Sequence, residues 1–167
     1  ALWPEWYSLE ALETIRRAIG SRNWSALYQQ RPMSDEGALF KRQWFRTVEA
    51  VPPGLRWVRY WDLAASIQAS GDYTCGCKAA FGPDGTMYIA DVARGRWEWP
   101  EALAIVRGIA DLDGRGVTVG IEGIGVQRGF RQLLMREPSL RSTAIVDVPV
   151  HHDKQIRATA WQVRAES

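Results

Sequence analysis

Residues 56–94 read RWVRYWDLAASIQASGDYTCGCKAAFGPDGTMYIADVAR. Three β-type runs can be cut from this stretch, RWVRYWDLA (56–64), DYTCGCKAAF (72–81) and TMYIADVAR (86–94). Their aromatic and β-branched residues suit a pleated, half-buried surface. Between the second and third, PDG (83–85) supplies a tight turn and therefore a hairpin. Asp62 lies near the end of the first run. A carboxylate at the end of a buried strand is costly unless something pairs with it.

Downstream, Pro100 opens a helix carrying Leu103, Val106 and Ile109, because its missing N–H is not needed at a first helical position. GVTVGIE (116–122) is nearly continuous in apolar or small residues, the composition of a buried parallel strand. VQRGFRQLLMRE (126–137) is a second helix ended by Pro138, TAIVDVPV (143–150) a fifth strand, and DKQIRATAWQVRAES (153–167) a final helix. The order β-β-β-α-β-α-β-α predicts an α/β domain with ribonuclease-H-like connectivity. Its mixed five-stranded sheet would have three antiparallel strands, then α/β crossovers, with flanking helices.

Upstream the pattern is helical. Ser8 caps a helix in which Leu9, Leu12, Ile15 and Ile19 recur at helical spacing, and Gly20 stops it. SRNWSALYQQRP (21–32) is a second short helix ended by Pro32, MSDEGALF (33–40) a loop, and VPPG (51–54) a rigid joint. The expected division is a helical lead-in or linker over residues 1–53 and the α/β domain over 54–167.

A chain of 167 residues that is 46% hydrophobic and 24% charged fits one globular domain with a real core and excludes a disordered tail. No apolar run approaches the roughly 20 residues that span a bilayer, and no secretory leader is visible. A cytoplasmic protein with no membrane partner is the expectation. The net charge of +2 does not identify a nucleic-acid partner, so the placement of the basic residues carries that question. Cys75 and Cys77 point to one face of a strand and read as small buried hydrophobes in a reduced compartment. With only His151 and His152 beside them, the paired ligand sets of a structural zinc site are missing. Of nine tryptophans, six (Trp3, Trp6, Trp24, Trp44, Trp57 and Trp61) fall within the first 61 residues, and they read as packing residues.

The partner for Asp62 is Glu122, near the end of the fourth strand. If the two strands are neighbours, their C-terminal parts meet at one edge. Two carboxylates so placed repel each other unless a cation sits between them. Mg²⁺ or Mn²⁺ suits this arrangement, taking one or two carboxylates and completing its shell with water and phosphate. Two such ions about 3.5–4 Å apart would serve both ends of a phosphodiester displacement. Gly120, Gly123 and Gly125 would leave room for a nucleic-acid backbone. Asp72 and Asp91 are lesser candidates, explained more simply by turn chemistry after Gly71 and by an ion pair with Arg94 or Arg96. Lys154, Arg157, Trp161 and Arg164 share one face of the final helix, a phosphate-contacting surface in the functional reading, with Ile156, Ala160 and Val163 facing the core. Lys154 directly follows the fifth strand, and Arg128, Arg131 and Arg136 could add to the same positive field.

WSALYQQRPMSDEGALF, then YWDLAAS with GDYT behind it, then IEGIGVQRGF, and finally HHDKQIRATAWQVRAES occur in the order seen in the large terminase subunits of tailed phages and prophages. The chain resembles the nuclease part of that family with the linker that follows its ATPase, from about Trp24 onward. The resemblance implies a ribonuclease-H-like, divalent-metal endonuclease that cuts concatemeric double-stranded viral DNA in the host cytoplasm during packaging. The small terminase subunit and the portal protein would be partners of the full-length parent. It also implies that Asp62 is the first metal-binding aspartate, Glu122 the second acidic ligand, and Lys154 a basic residue near the active site. No G-x-x-x-x-G-K-[ST] loop occurs among these residues, so ATP hydrolysis by that route is not expected of them. The family's third carboxylate lies in an Asp-rich motif further downstream than Ser167, so a fragment or a truncated prophage remnant with two of three ligands is expected. A catalytically incomplete DNA-binding or assembly module is the alternative. Another ribonuclease-H-like nuclease, such as a junction resolvase, is disfavoured by the WSALYQQRP arm.

Overall fold

A computed structural model describes residues 6–31, 39–64, 72–122, 127–150 and 154–166. They form two compact units, Ala1–Glu49 with His152–Ser167, and Ala50–His151. The expected joint at 51–54 falls at the junction, while the final helix groups with the N-terminal helix.

The first unit is built from α1 (Leu9–Tyr28) and a helix at the chain's end, Lys154–Glu166. Ser8 caps α1 as its residue type predicts, its hydroxyl oxygen accepting the Ala11 N–H at 3.1 Å. Gly20 breaks the helix at φ +76° and ψ 164°, and the chain turns helical again immediately after it. The expected stop is therefore a kink between two helical stretches, the second ending at Tyr28. Pro32, most of the 33–40 loop and Trp3 lie outside the described residues. The kink also makes a contact point. A Cβ on Gly20 would come within 2.9 Å of Val163 Cγ2, and the Ser21 N–H donates to Glu166 Oε2 at 3.0 Å. That contact turns the last helix so that Gln162 is buried and Val163 half-buried, while Ile156 is 57% exposed. The expected core stripe of Ile156, Ala160 and Val163 holds only at Val163. Trp24 stacks on Tyr28 with ring centroids 4.4 Å apart, whereas Trp6 is 82% exposed and packs no core.

The second unit is an open mixed sheet of five strands in the order β3-β2-β1-β4-β5. β1 (Val58–Asp62), β2 (Thr74–Phe81) and β3 (Met87–Gly95) run antiparallel, and β4 (Thr118–Glu122) and β5 (Ile145–Val148) add parallel to β1. Asp84 holds the β2–β3 turn by accepting from the Thr86 N–H and hydroxyl at 3.0 and 2.8 Å. The parallel steps need crossovers, supplied by α2 (Trp99–Asp113) and α3 (Gln127–Arg136). Pro100 is the second rather than the first residue of α2, with Glu98 as N-cap.

Side-chain alternation sorts the sheet into two faces. Trp61, Val119 and Ile121 point to one, where they meet Ala102, Val106 and Ala110 of α2 and Phe130 and Leu134 of α3. Trp99 meets Phe130 edge-on, with centroids 5.6 Å apart. Fully burying each large apolar side chain contributes about 1.5–3 kcal/mol, so this layer holds the unit together. The opposite face carries Val58, Val92 and Val146, all partly exposed, together with Asp62 and Glu122. No helix among the described residues is long and apolar enough to cross a membrane.

Candidate functional site

The core layer decides where the carboxylates go. Trp61 and Ile121 are fully buried partners on neighbouring parallel strands, so the next residue on each, Asp62 and Glu122, must turn to the other face. Each is the last residue of its strand, and the strands lie about 4.8 Å apart. The register extends the row, with Asp62 opposite Cys75, Cys75 opposite Arg94, and Glu122 opposite Val148. Arg94, Cys75, Asp62, Glu122 and Val148 thus cross the sheet side by side. Glu122 is only 4% exposed, and Asp62 is half-buried.

Two contacts fix the end of β1. Gly76 faces Trp61 so closely that a Cβ there would lie 2.6–2.7 Å from its ring carbons. Beyond Asp62, the buried Thr74 hydroxyl oxygen accepts the Ala64 N–H at 3.0 Å, tying the outgoing chain to β2. The charge of Asp62 is felt locally: burial pushes the Cys75 thiol above its ordinary value, Asp62 pushes it further, and Arg94 opposes. Cys77 is raised too, chiefly by burial, and both cysteines are half-buried free thiols rather than buried ones.

The other predicted residues are placed as follows. Asp72 is exposed, three positions before the Cys75 that faces Asp62, and so beyond the same strand end. Asp91 is on the core face with Trp61, paired with Arg59 at 2.7 Å, and the expected pair with Arg94 or Arg96 is replaced. Arg94 and Arg96 instead stack on Tyr73. Lys154 is exposed and Arg157 half-buried on the terminal helix of the other unit. On α3, Arg131 pairs with Asp147 at 3.2 Å, and Arg136 is exposed. The side chain of Arg128, and all of Gly123, Gly125, His151 and His152, lie outside the described residues. Gly120 makes room for neighbours rather than for an incoming chain, since a Cβ would meet Val148 Cγ2 at 3.2 Å and Tyr60 Cδ2 at 3.4 Å.

Sequence reading missed the charge cluster beneath the sheet. Arg59, 2% exposed, donates to Asp113 at the end of α2 and to the Gly76 carbonyl at 3.3 Å, while Lys78 Nζ donates to Asp113 at 2.9 Å. Burial would push Asp113 up, but hydrogen bonds from Arg59 and Lys78 outweigh it and hold the carboxyl below its usual range. Alternation held the signal: Arg59 shares the parity of Trp61, so a cation had to enter the core face.

Among the described residues no group of three His, Cys, Asp or Glu converges. The pair Asp62 and Glu122 suits a hard divalent cation that completes its shell with water and phosphate oxygens. No protein-family model and no curated protein matches the chain.

Proposed function

We propose that the Ala50–His151 unit is a metal-dependent endonuclease domain acting on double-stranded DNA, of the kind found in phage large terminases. The observation that carries the reading is that Asp62 and a nearly buried Glu122 directly follow the paired residues Trp61 and Ile121 at the ends of adjacent parallel strands. The strand order 3-2-1-4-5, with a meander followed by two crossovers, supports a ribonuclease-H-like fold. Asp62 and Glu122 would hold Mg²⁺ or Mn²⁺. When bound, the metal supplies a nucleophilic water and neutralises charge on the leaving oxygen of a phosphodiester.

The chain's own residues set up that chemistry. Trp61 and Ile121, locked in the core, aim both carboxylates to one face, and Thr74 holds the backbone that leaves Asp62. Adjacent anions favour a cation over water in their shared space.

Supercoiled plasmid incubated with Mg²⁺ or Mn²⁺ tests the reading. Cutting is expected from the wild type and is lost in Asp62→Asn and in Glu122→Gln, with the fold checked by circular dichroism. Equal cutting by folded variants would sink the assignment. Salt-dependent DNA binding without cutting under either metal would favour the non-catalytic DNA-binding module.

A further inference from the structure

Two guanidinium groups lie over the ring of Tyr73. The Arg94 Cζ lies 3.6 Å from the ring centroid and the Arg96 Cζ 4.0 Å. Both distances lie well inside the roughly 6 Å range of a cation–π contact. Sheet geometry makes the arrangement: Thr74 faces Gly95, which sets Tyr73 beside the two arginines that flank that glycine. Each surface cation–π contact contributes only about 0.5–1 kcal/mol. The ring also gathers two like charges, which repel. Fold stability is a weak reason for this arrangement, and Arg94 has no carboxylate partner among the described residues.

The cluster sits on the carboxylate row. Arg94 is opposite Cys75, which is opposite Asp62, so Arg94 stands two strand spacings, about 10 Å, from Asp62 on the same face. A guanidinium held over a ring has less freedom to lose when it binds phosphate through two parallel hydrogen bonds.

We propose that Arg94 and Arg96, preorganised on Tyr73, form a phosphate clamp that receives the backbone of the DNA cut at the Asp62–Glu122 edge. The clamp rests on the endonuclease reading for its substrate. At a rise of about 3.4 Å per nucleotide, its offset from Asp62 corresponds to roughly three nucleotides along one strand. The clamp therefore grips the backbone away from the scissile bond. It contributes binding and register, and no base specificity.

The test is fluorescence anisotropy with a labelled double-stranded oligonucleotide in EDTA, from 50 to 200 mM salt, run beside the plasmid assay. Arg94→Gln/Arg96→Gln is expected to raise Kd about tenfold and to reduce the slope of log K against log salt by about two. Tyr73→Leu weakens binding in the same direction, and Tyr73→Phe retains it, because only the ring face is used. Arg107→Gln on α2, behind the opposite face of the sheet, leaves Kd unchanged. Kd and slope within twofold of wild type in the folded double variant overturn the clamp, as does a wild type that does not bind the duplex. If arginine-dependent binding holds but no metal gives cutting, the clamp stands and the endonuclease reading falls. If cutting depends on Asp62 while the double variant binds normally, the reverse is true.

Discussion

Gly76→Ala is the most informative perturbation of this fold, because it adds one methyl group against the side chain that aims Asp62. The new Cβ would stand 2.6 Å from Trp61 Cζ3 and 2.7 Å from Cδ2 and Cε2, well inside ordinary van der Waals contact. The indole cannot swing away, being 0% exposed and packed among Ile121, Val106 and Phe130. Either β2 moves away from β1 or Trp61 leaves its pocket. Overpacking of this kind costs about 1–3 kcal/mol. With a urea m-value of about 2 kcal/mol per molar, a loss of about 2 kcal/mol lowers the midpoint by about 1 M. Far-UV circular dichroism against urea measures it. A displaced Trp61 also shifts the end of β1, so DNA cutting should fall even in urea-free buffer where the protein is folded. A midpoint within a few tenths of a molar of wild type would refute the claim that β2 closes on Trp61 at a glycine.

Four further outcomes are expected. Gly108→Ala, in the exposed middle of α2 with open space at its Cβ, should stabilise by about 0.5–1 kcal/mol, read as a raised urea midpoint. Arg59→Met leaves Asp113 and Asp91 without their shared cation, and breaking so buried a pair should cost about 3–5 kcal/mol in the same assay. The Asp113 carboxyl is held below its ordinary 3.8, so its contribution is complete above that pH and lost as the pH falls through the lowered value; acid titration of the wild type should show this limb, and Arg59→Met, which keeps only Lys78 on Asp113, should show it weakened. In a Cys77→Ala background, Asp62→Asn should speed labelling of Cys75 by a thiol reagent near pH 8, because Asp62 helps hold that thiol up.

The strands were legible from residue pattern alone. RWVRYWDLA, DYTCGCKAAF, TMYIADVAR, GVTVGIE and TAIVDVPV each contain the strand found, and PDG turns the hairpin. The Ser8 cap and the Gly20 interruption were legible for the same reason, since both depend on interactions within a few residues of chain. Asp62 and Glu122 stood out because a carboxylate ending an apolar strand conflicts with its surroundings whatever the partner.

Tertiary structure decided everything that depends on which strands are neighbours. That β1 pairs with β4 in a register bringing Asp62 beside Glu122 is a long-range fact that no local pattern encodes. The same holds for Asp91, drawn to Arg59 rather than to the arginines near it in sequence, and for Tyr73, met by Arg94 and Arg96 because β2 and β3 align them. The last helix makes the point again: its spacing assigned Ile156, Ala160 and Val163 to the core, but beside its contact at Gly20 only Val163 of these is turned inward, with Gln162. Periodicity tells a chain which residues share a face. Only packing says which face is covered, and by what.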